Sequence, residues 1–140
     1  MIVRKINEVE SIDVGKPFGL PDGMMMIQWI FSNDVGDDRY HHNYAIRKYT
    51  IQPGLPLEKV PFHNHRYVQS PYILSGRMIL ENDKNERLEA GPGDTIIFHE
   101  DEPHRGTVLG NEPVEMLCII DCPGSGEDCF PVQPENIQVK

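Results

Sequence analysis

The chain has 140 residues, 39% of them hydrophobic, and a formal net charge of −9. That is enough for one domain with its own core, and the acidic field disfavours nucleic acid and anionic lipid as partners. No apolar run approaches the ~20 residues that span a bilayer, and "MIVRKINEVE" at the start carries no apolar stretch of signal length, which predicts a cytoplasmic protein.

Twelve glycines and twelve prolines favour many short elements over a few long helices. In chain order, "MMMIQWIF" (24–31) and "YAIRKYTI" (44–51) are rich in apolar, aromatic and β-branched residues and predict strands. The acidic loop "NDVGDDRYHHN" (33–43) separates them, and "QPG" (52–54) ends the second. "PYILSGRMILE" (71–81) predicts a strand bent at Gly76, and "NDKN" (82–85) a hairpin turn. Short strands follow at "ERLEA" (86–90), "TIIF" (95–98), "HRGTVL" (104–109) and "VEMLCIID" (114–121), with turns at "GPGD", "HEDEP" and "GNEP" between them. Strands this short between such turns predict an all-β sandwich or barrel. The expected organisation is a single domain over 1–140 with a barrel core of about 24–121, an N-terminal strand and the C-terminal tail packing outside. Three cysteines is an odd count, which predicts reduced thiols; Cys122 and Cys129 flank "PGSGED" without the partners of a zinc site.

Two of the six histidines stand one residue apart in "PFHNHRYVQSPYILSGR" (61–77). Alternate residues of a strand share a face, so His63 and His65 project together. Two imidazoles on one inward face can hold a divalent metal; on an outward face the pair is surface decoration. Gln69 would add an amide oxygen, and His104, opening a later strand, is the candidate for the remaining position.

The whole arrangement resembles the cupin superfamily, in particular the small single-domain metal-binding cupins of the conserved-barrel type. The family's first motif, G…HxHxxxE…G, is matched by Gly54, His63, His65, Gln69 and Gly76. The second, G…PxG…H…N, is matched within "AGPGDTIIFHEDEPHRG", with His104 in the histidine place. The resemblance spans residues 54 to 108 and implies a double-stranded β-helix, the jelly-roll cupin barrel. It also implies one divalent transition metal (Zn, Mn, Fe, Ni or Cu) on His63, His65, Gln69 and His104. Three departures stand out: a longer interval from Gly54 to His63, Val108 in place of the motif asparagine, and Gln69 in place of glutamate. Glutamine is a neutral donor, so the ion would keep its full charge. That favours Lewis-acid chemistry on a small oxygen-rich substrate, of isomerase, lyase or cyclase type. The alternatives within the family are a dioxygenase of quercetinase-like type, a non-catalytic small-molecule binder and a vestigial site.

Other residues carry expectations of their own. Arg47, if inward, would anchor a substrate carboxylate; if outward, it is a surface charge. His99, near the expected barrel rim, is a candidate for proton transfer. His41 and His42 either close over the barrel mouth or are solvated loop residues. Trp29 and Met24 to Met26 suit the core or a dimer contact. From the resemblance, Cys118 on the closing strand points inward near the metal without ligating it; the alternative is a buried cysteine that only packs. The resemblance also implies a homodimer paired through N-terminal strands, for which "MMMIQWIF" is the candidate segment.

Overall fold

The computed structural model describes residues 1–121, and its regular elements are eight β-strands with a few single-turn 3-10 helices. Cys122 and Cys129 therefore lie outside the described residues. The strands are β1 (Ser11–Asp13), β2 (Met25–Phe31), β3 (Ala45–Ile51), β4 (Gln69–Ser75), β5 (Arg77–Asn82), β6 (Arg87–Ala90), β7 (His104–Leu109) and β8 (Val114–Ile120). They form two antiparallel sheets, ordered β1-β2-β3-β8-β4 and β6-β5-β7. The fold is the all-β, double-stranded β-helix that the motifs imply.

The run "PYILSGRMILE" is two strands rather than one. β4 pairs with β8 in the larger sheet, and β5 pairs with β6 and β7 in the smaller one. The chain changes sheet at Gly76, whose φ of +77° lies in the left-handed region. The N-terminal strand β1 is the edge strand of the five-stranded sheet, with Ile12 opposite Ile27 of β2. The Asp13 carboxylate accepts from Gly15 N (2.9 Å) and Gly23 N (2.8 Å), which ties down the loop between these two strands.

Residues 95–98 run along the free edge of β4 without forming a continuous strand. Gln69 and Phe98 exchange both backbone bonds (3.1 and 2.9 Å), and Ile96 N donates to Pro71 O at 2.8 Å. Pro71 has no N–H to return that bond, so the ladder is broken in its middle. The segment that carries His63 behaves similarly on β7, where His63 and His104 exchange bonds of 3.0 and 2.9 Å.

The alternation of β8 sets the inner face: Val114, Met116, Cys118 and Ile120 are buried, while Ile119 between them is exposed. One buried cluster joins Ile73, Met78, Leu80, Ala90, Val108 and Val114; a second joins Ala45, Tyr67, Cys118 and Ile120. Val108, which replaces the motif asparagine, is thus a core residue. The inner faces of the two sheets, with flanking loop residues, also line a cavity of about 320 Å³.

Candidate metal centre

The backbone pair between His63 and His104 brings their rings to 4.4 Å between centroids. His65, two residues after His63, projects to the same side, with ring centroids 5.0 Å from His63 and 5.3 Å from His104. One nitrogen from each of the three rings lies within 4.8 Å of the others, and no Asp, Glu or Cys among the described residues joins this group. All three rings line the cavity.

The geometry suits an ion. His104 Nδ1 lies 2.8 Å from the Glu102 carbonyl oxygen. A carbonyl only accepts, so Nδ1 carries the proton and Nε2 keeps its lone pair for the cluster. Phe98 stacks on the same ring at 3.7 Å and 11°, holding its plane. His65 is only 4% exposed, and neither of its ring nitrogens has a hydrogen-bond partner. Leaving two buried polar atoms unpaired is costly, and a ligated ion would satisfy one of them.

Burial, followed by the neighbouring His104 and Arg47, pushes His65 down to about 3. Burial likewise lowers His104 to about 4, and it holds His63 well below the ordinary histidine range, helped by His104 and His65. The three rings are therefore neutral and ready to ligate at neutral pH. The sign for stability follows. The unfolded chain takes up protons near pH 6.5 and the folded chain does not, so metal-free protein loses stability as pH falls from about 6.5 toward 4. Each ring contributes up to about 1.4 kcal/mol per pH unit in that window. Urea melts of chelated protein between pH 7 and pH 5 should show this fall, and a flat profile would contradict the neutral, buried rings.

Gln69 opens β4, is buried, and faces the same cavity. Arg47 is inward. Ala45, Arg47, Tyr49 and Ile51 share the inner face of β3, and Arg47 is 4% exposed. Across the sheet it stands opposite Trp29 on one side and Cys118 on the other. Its Nη2 donates to Cys118 Sγ at 3.3 Å, and its Cζ lies 5.3 Å from the ring centres of both Trp29 and Tyr49. Its Nε is buried without a partner.

His99 does not face the cavity. It is exposed, on the same outward parity as Ile97, with Phe98 between them turned inward to His104. Cys118 is fully buried on the inner face of β8, but the Arg47 guanidinium covers its thiol and Met116, not Cys118, reaches the cavity wall. His41 and His42 do not line the cavity either; the His42 ring packs on Tyr44 at 4.7 Å. Two contributors escaped the sequence reading. Phe98 positions His104, and its signal was the inward parity of 96 and 98. Tyr49 lines the cavity beside Arg47, and its signal was the two-residue spacing from that arginine. Burial raises the Tyr49 phenol, so it stays protonated.

A jelly-roll barrel with a three-histidine cluster on its inner wall defines the class of protein. Residues 48–120 match the family described as Cupin domain, and the chain belongs to that family. It is 30% identical over 130 residues to Uncharacterized protein MJ1618 of Methanocaldococcus jannaschii, covering 91% of this chain and 96% of that protein. Among solved structures it is similar to the DMSP lyase DddQ from Ruegeria pomeroyi, with a TM-score of 0.70 and 17% identity over 94% of this chain. The chain spans only 64% of that lyase's length. It is similar to the polyketide cyclase RemF from Streptomyces resistomycificus, with a TM-score of 0.61 and 20% identity over 87% of this chain and 80% of that one. A cupin 2 domain-containing protein from Halorhodospira halophila matches with a TM-score of 0.63 and 18% identity over 84% of this chain and 74% of that one. These structural likenesses concern the fold. No helix among the described residues is long and apolar enough to cross a membrane.

Proposed function

We propose that this cupin holds one divalent transition metal on His63, His65, His104 and Gln69 and acts on a small oxygen-bearing substrate by isomerisation, elimination or cyclisation. The observation that carries the proposal is the all-neutral donor set: the histidine cluster has no carboxylate in it, and the position usually held by glutamate is Gln69. Bound there, the ion would supply Lewis acidity to a substrate carbonyl or hydroxyl oxygen, undiminished by an anionic ligand. The chain supplies the rest. Glu102 and Phe98 hold His104 in one tautomer and one plane. The protonated Tyr49 phenol can donate a hydrogen bond or a proton to the substrate, and the walls around it are mostly apolar. The proposal includes a homodimer; "MMMIQWIF" is already paired on both edges by β1 and β3, so the edge available for pairing is that of β1, and light scattering at micromolar concentration would check the dimer.

The test combines metal analysis with one substitution. Protein purified without chelator should carry about one divalent ion per chain. Gln69→Glu adds a negative ligand, so it should tighten metal binding by roughly 10-fold or more while lowering turnover, because the added charge dampens Lewis acidity. Unchanged affinity and unchanged rate at full loading would remove Gln69 from the site. Oxygen uptake with substrate would instead favour the dioxygenase alternative.

A further inference from the structure

We infer that the substrate is a small monocarboxylate with an apolar body and one further oxygen next to its carboxylate, its charge bound by Arg47. This rests on the metal reading above and narrows it. The first observation is a charge without a counter-charge. Arg105 and Arg87 reach Glu81 at 2.6 and 3.0 Å, and Lys48 reaches Glu115 at 2.9 Å. Arg47, far more buried, has no carboxylate partner among the described residues. Its contacts are the soft Cys118 sulfur, the Tyr67 phenol and the faces of Trp29 and Tyr49, none of them a carboxylate, and its Nε has no partner. A buried guanidinium in this state is expensive unless an anion joins it, and its planar fork matches a carboxylate.

The second observation is the company Arg47 keeps. It lines the same cavity as the three histidines and Gln69, so one ligand can meet the guanidinium and the metal position together. Among the described residues no other Arg and no Lys lines that cavity, and the one acidic residue among them that does, Asp13, would repel a second negative charge. This favours a monoanion over a phosphate or a dicarboxylate. The third observation is the wall itself, which includes Phe18, Leu20, Ile27, Ile51, Leu55 and Leu80. A polyhydroxylated acid would leave hydroxyls buried there without partners, which such a surface rejects strongly. The volume of about 320 Å³ lies at the low end for small-molecule sites. A 2-oxo or 2-hydroxy acid with a short aliphatic chain meets all three conditions. A sugar acid meets only the first.

The test uses protein as purified, by calorimetric titration and thermal shift. The probes are a series of 2-oxo and 2-hydroxy acids of four to seven carbons, their methyl esters, and gluconate. At least one acid of the series should bind about 10-fold or more tighter than its own ester and than gluconate. Arg47→Gln should erase the preference for acid over ester without changing metal content, and Arg47→Lys should retain part of it. Binding of ester or gluconate as tightly as the acids overturns the inference, and so does failure of the whole series to bind. If Arg47→Gln does not fold, the acid-to-ester ratio on unaltered protein still decides. The two readings separate cleanly. Acid-selective binding by protein that never holds metal would sink the metal reading and leave this one standing. A metal-loaded protein indifferent to the carboxylate would do the reverse.

Discussion

Replacing His65 with alanine is expected to strip the metal from the protein while leaving the metal-free fold nearly as stable as before. Loss of a hydrogen-bond partner that merely supports a ligand costs about 10–100-fold in metal affinity, so loss of a ligand should cost more. Metal content after gel filtration should fall below about a tenth of the unaltered value. The metal-free fold should tolerate the change because both ring nitrogens of His65 are buried and unpartnered. Removing them relieves a penalty of about 1–3 kcal/mol, which offsets much of the cost of the cavity left behind. The same substitution at His104 should behave differently. That ring donates to Glu102 O and stacks on Phe98, so His104→Ala loses structure as well as metal. Plasma emission spectrometry and denaturant melts with and without chelator distinguish the two. If His65→Ala keeps a full complement of metal, the three histidines are not its ligands.

The histidine cluster was legible because it depends on short-range rules. A spacing of two puts His63 and His65 on one side of an extended segment whatever the fold, and the turn sequences delimit β3, β7, β8 and the end of β5 to within a residue or two. What was hidden depends on pairing across the chain. β1 is three residues long and becomes a strand only by lying against β2. Residues 95–98 have the composition of a strand, but their neighbour in space is Pro71, which cannot return the bond they need. Both faces of "VEMLCIID" are apolar, so alternation alone could not choose an inner side. The choice came from the register that sets Arg47 between Trp29 and Cys118, and the same register put the guanidinium over the thiol. Proximity to the rim likewise said nothing about which side of the chain the His99 ring would take, and that ring is exposed.

Gly76→Ala is expected to be among the most damaging single substitutions in the barrel, and its cost should exceed that of Gly110→Ala by a wide margin. The two glycines have nearly the same backbone, with φ of +77° and +80°. Each would charge an alanine about 1–2 kcal/mol for the left-handed conformation. Their surroundings differ. A methyl at Gly110 meets nothing within 4 Å, whereas one at Gly76 would collide with Pro113 O and lie 2.9 Å from Val114 Cα. Those atoms are backbone at the entry to β8, which lies between β3 and β4, so no side chain can swing aside to make room. Either β4 and β5 separate at the point where the chain changes sheet, or β8 shifts along both of its partners. A total of about 3 kcal/mol or more is expected for Gly76→Ala, a large share of the roughly 5–15 kcal/mol that holds a domain together. Since Gln69 opens β4 and Arg47 pairs with β8 through Cys118, a surviving fraction should also hold metal and substrate less well. Urea denaturation of the two variants side by side measures the difference, and equal losses would mean that the approach of Pro113 does not constrain this corner.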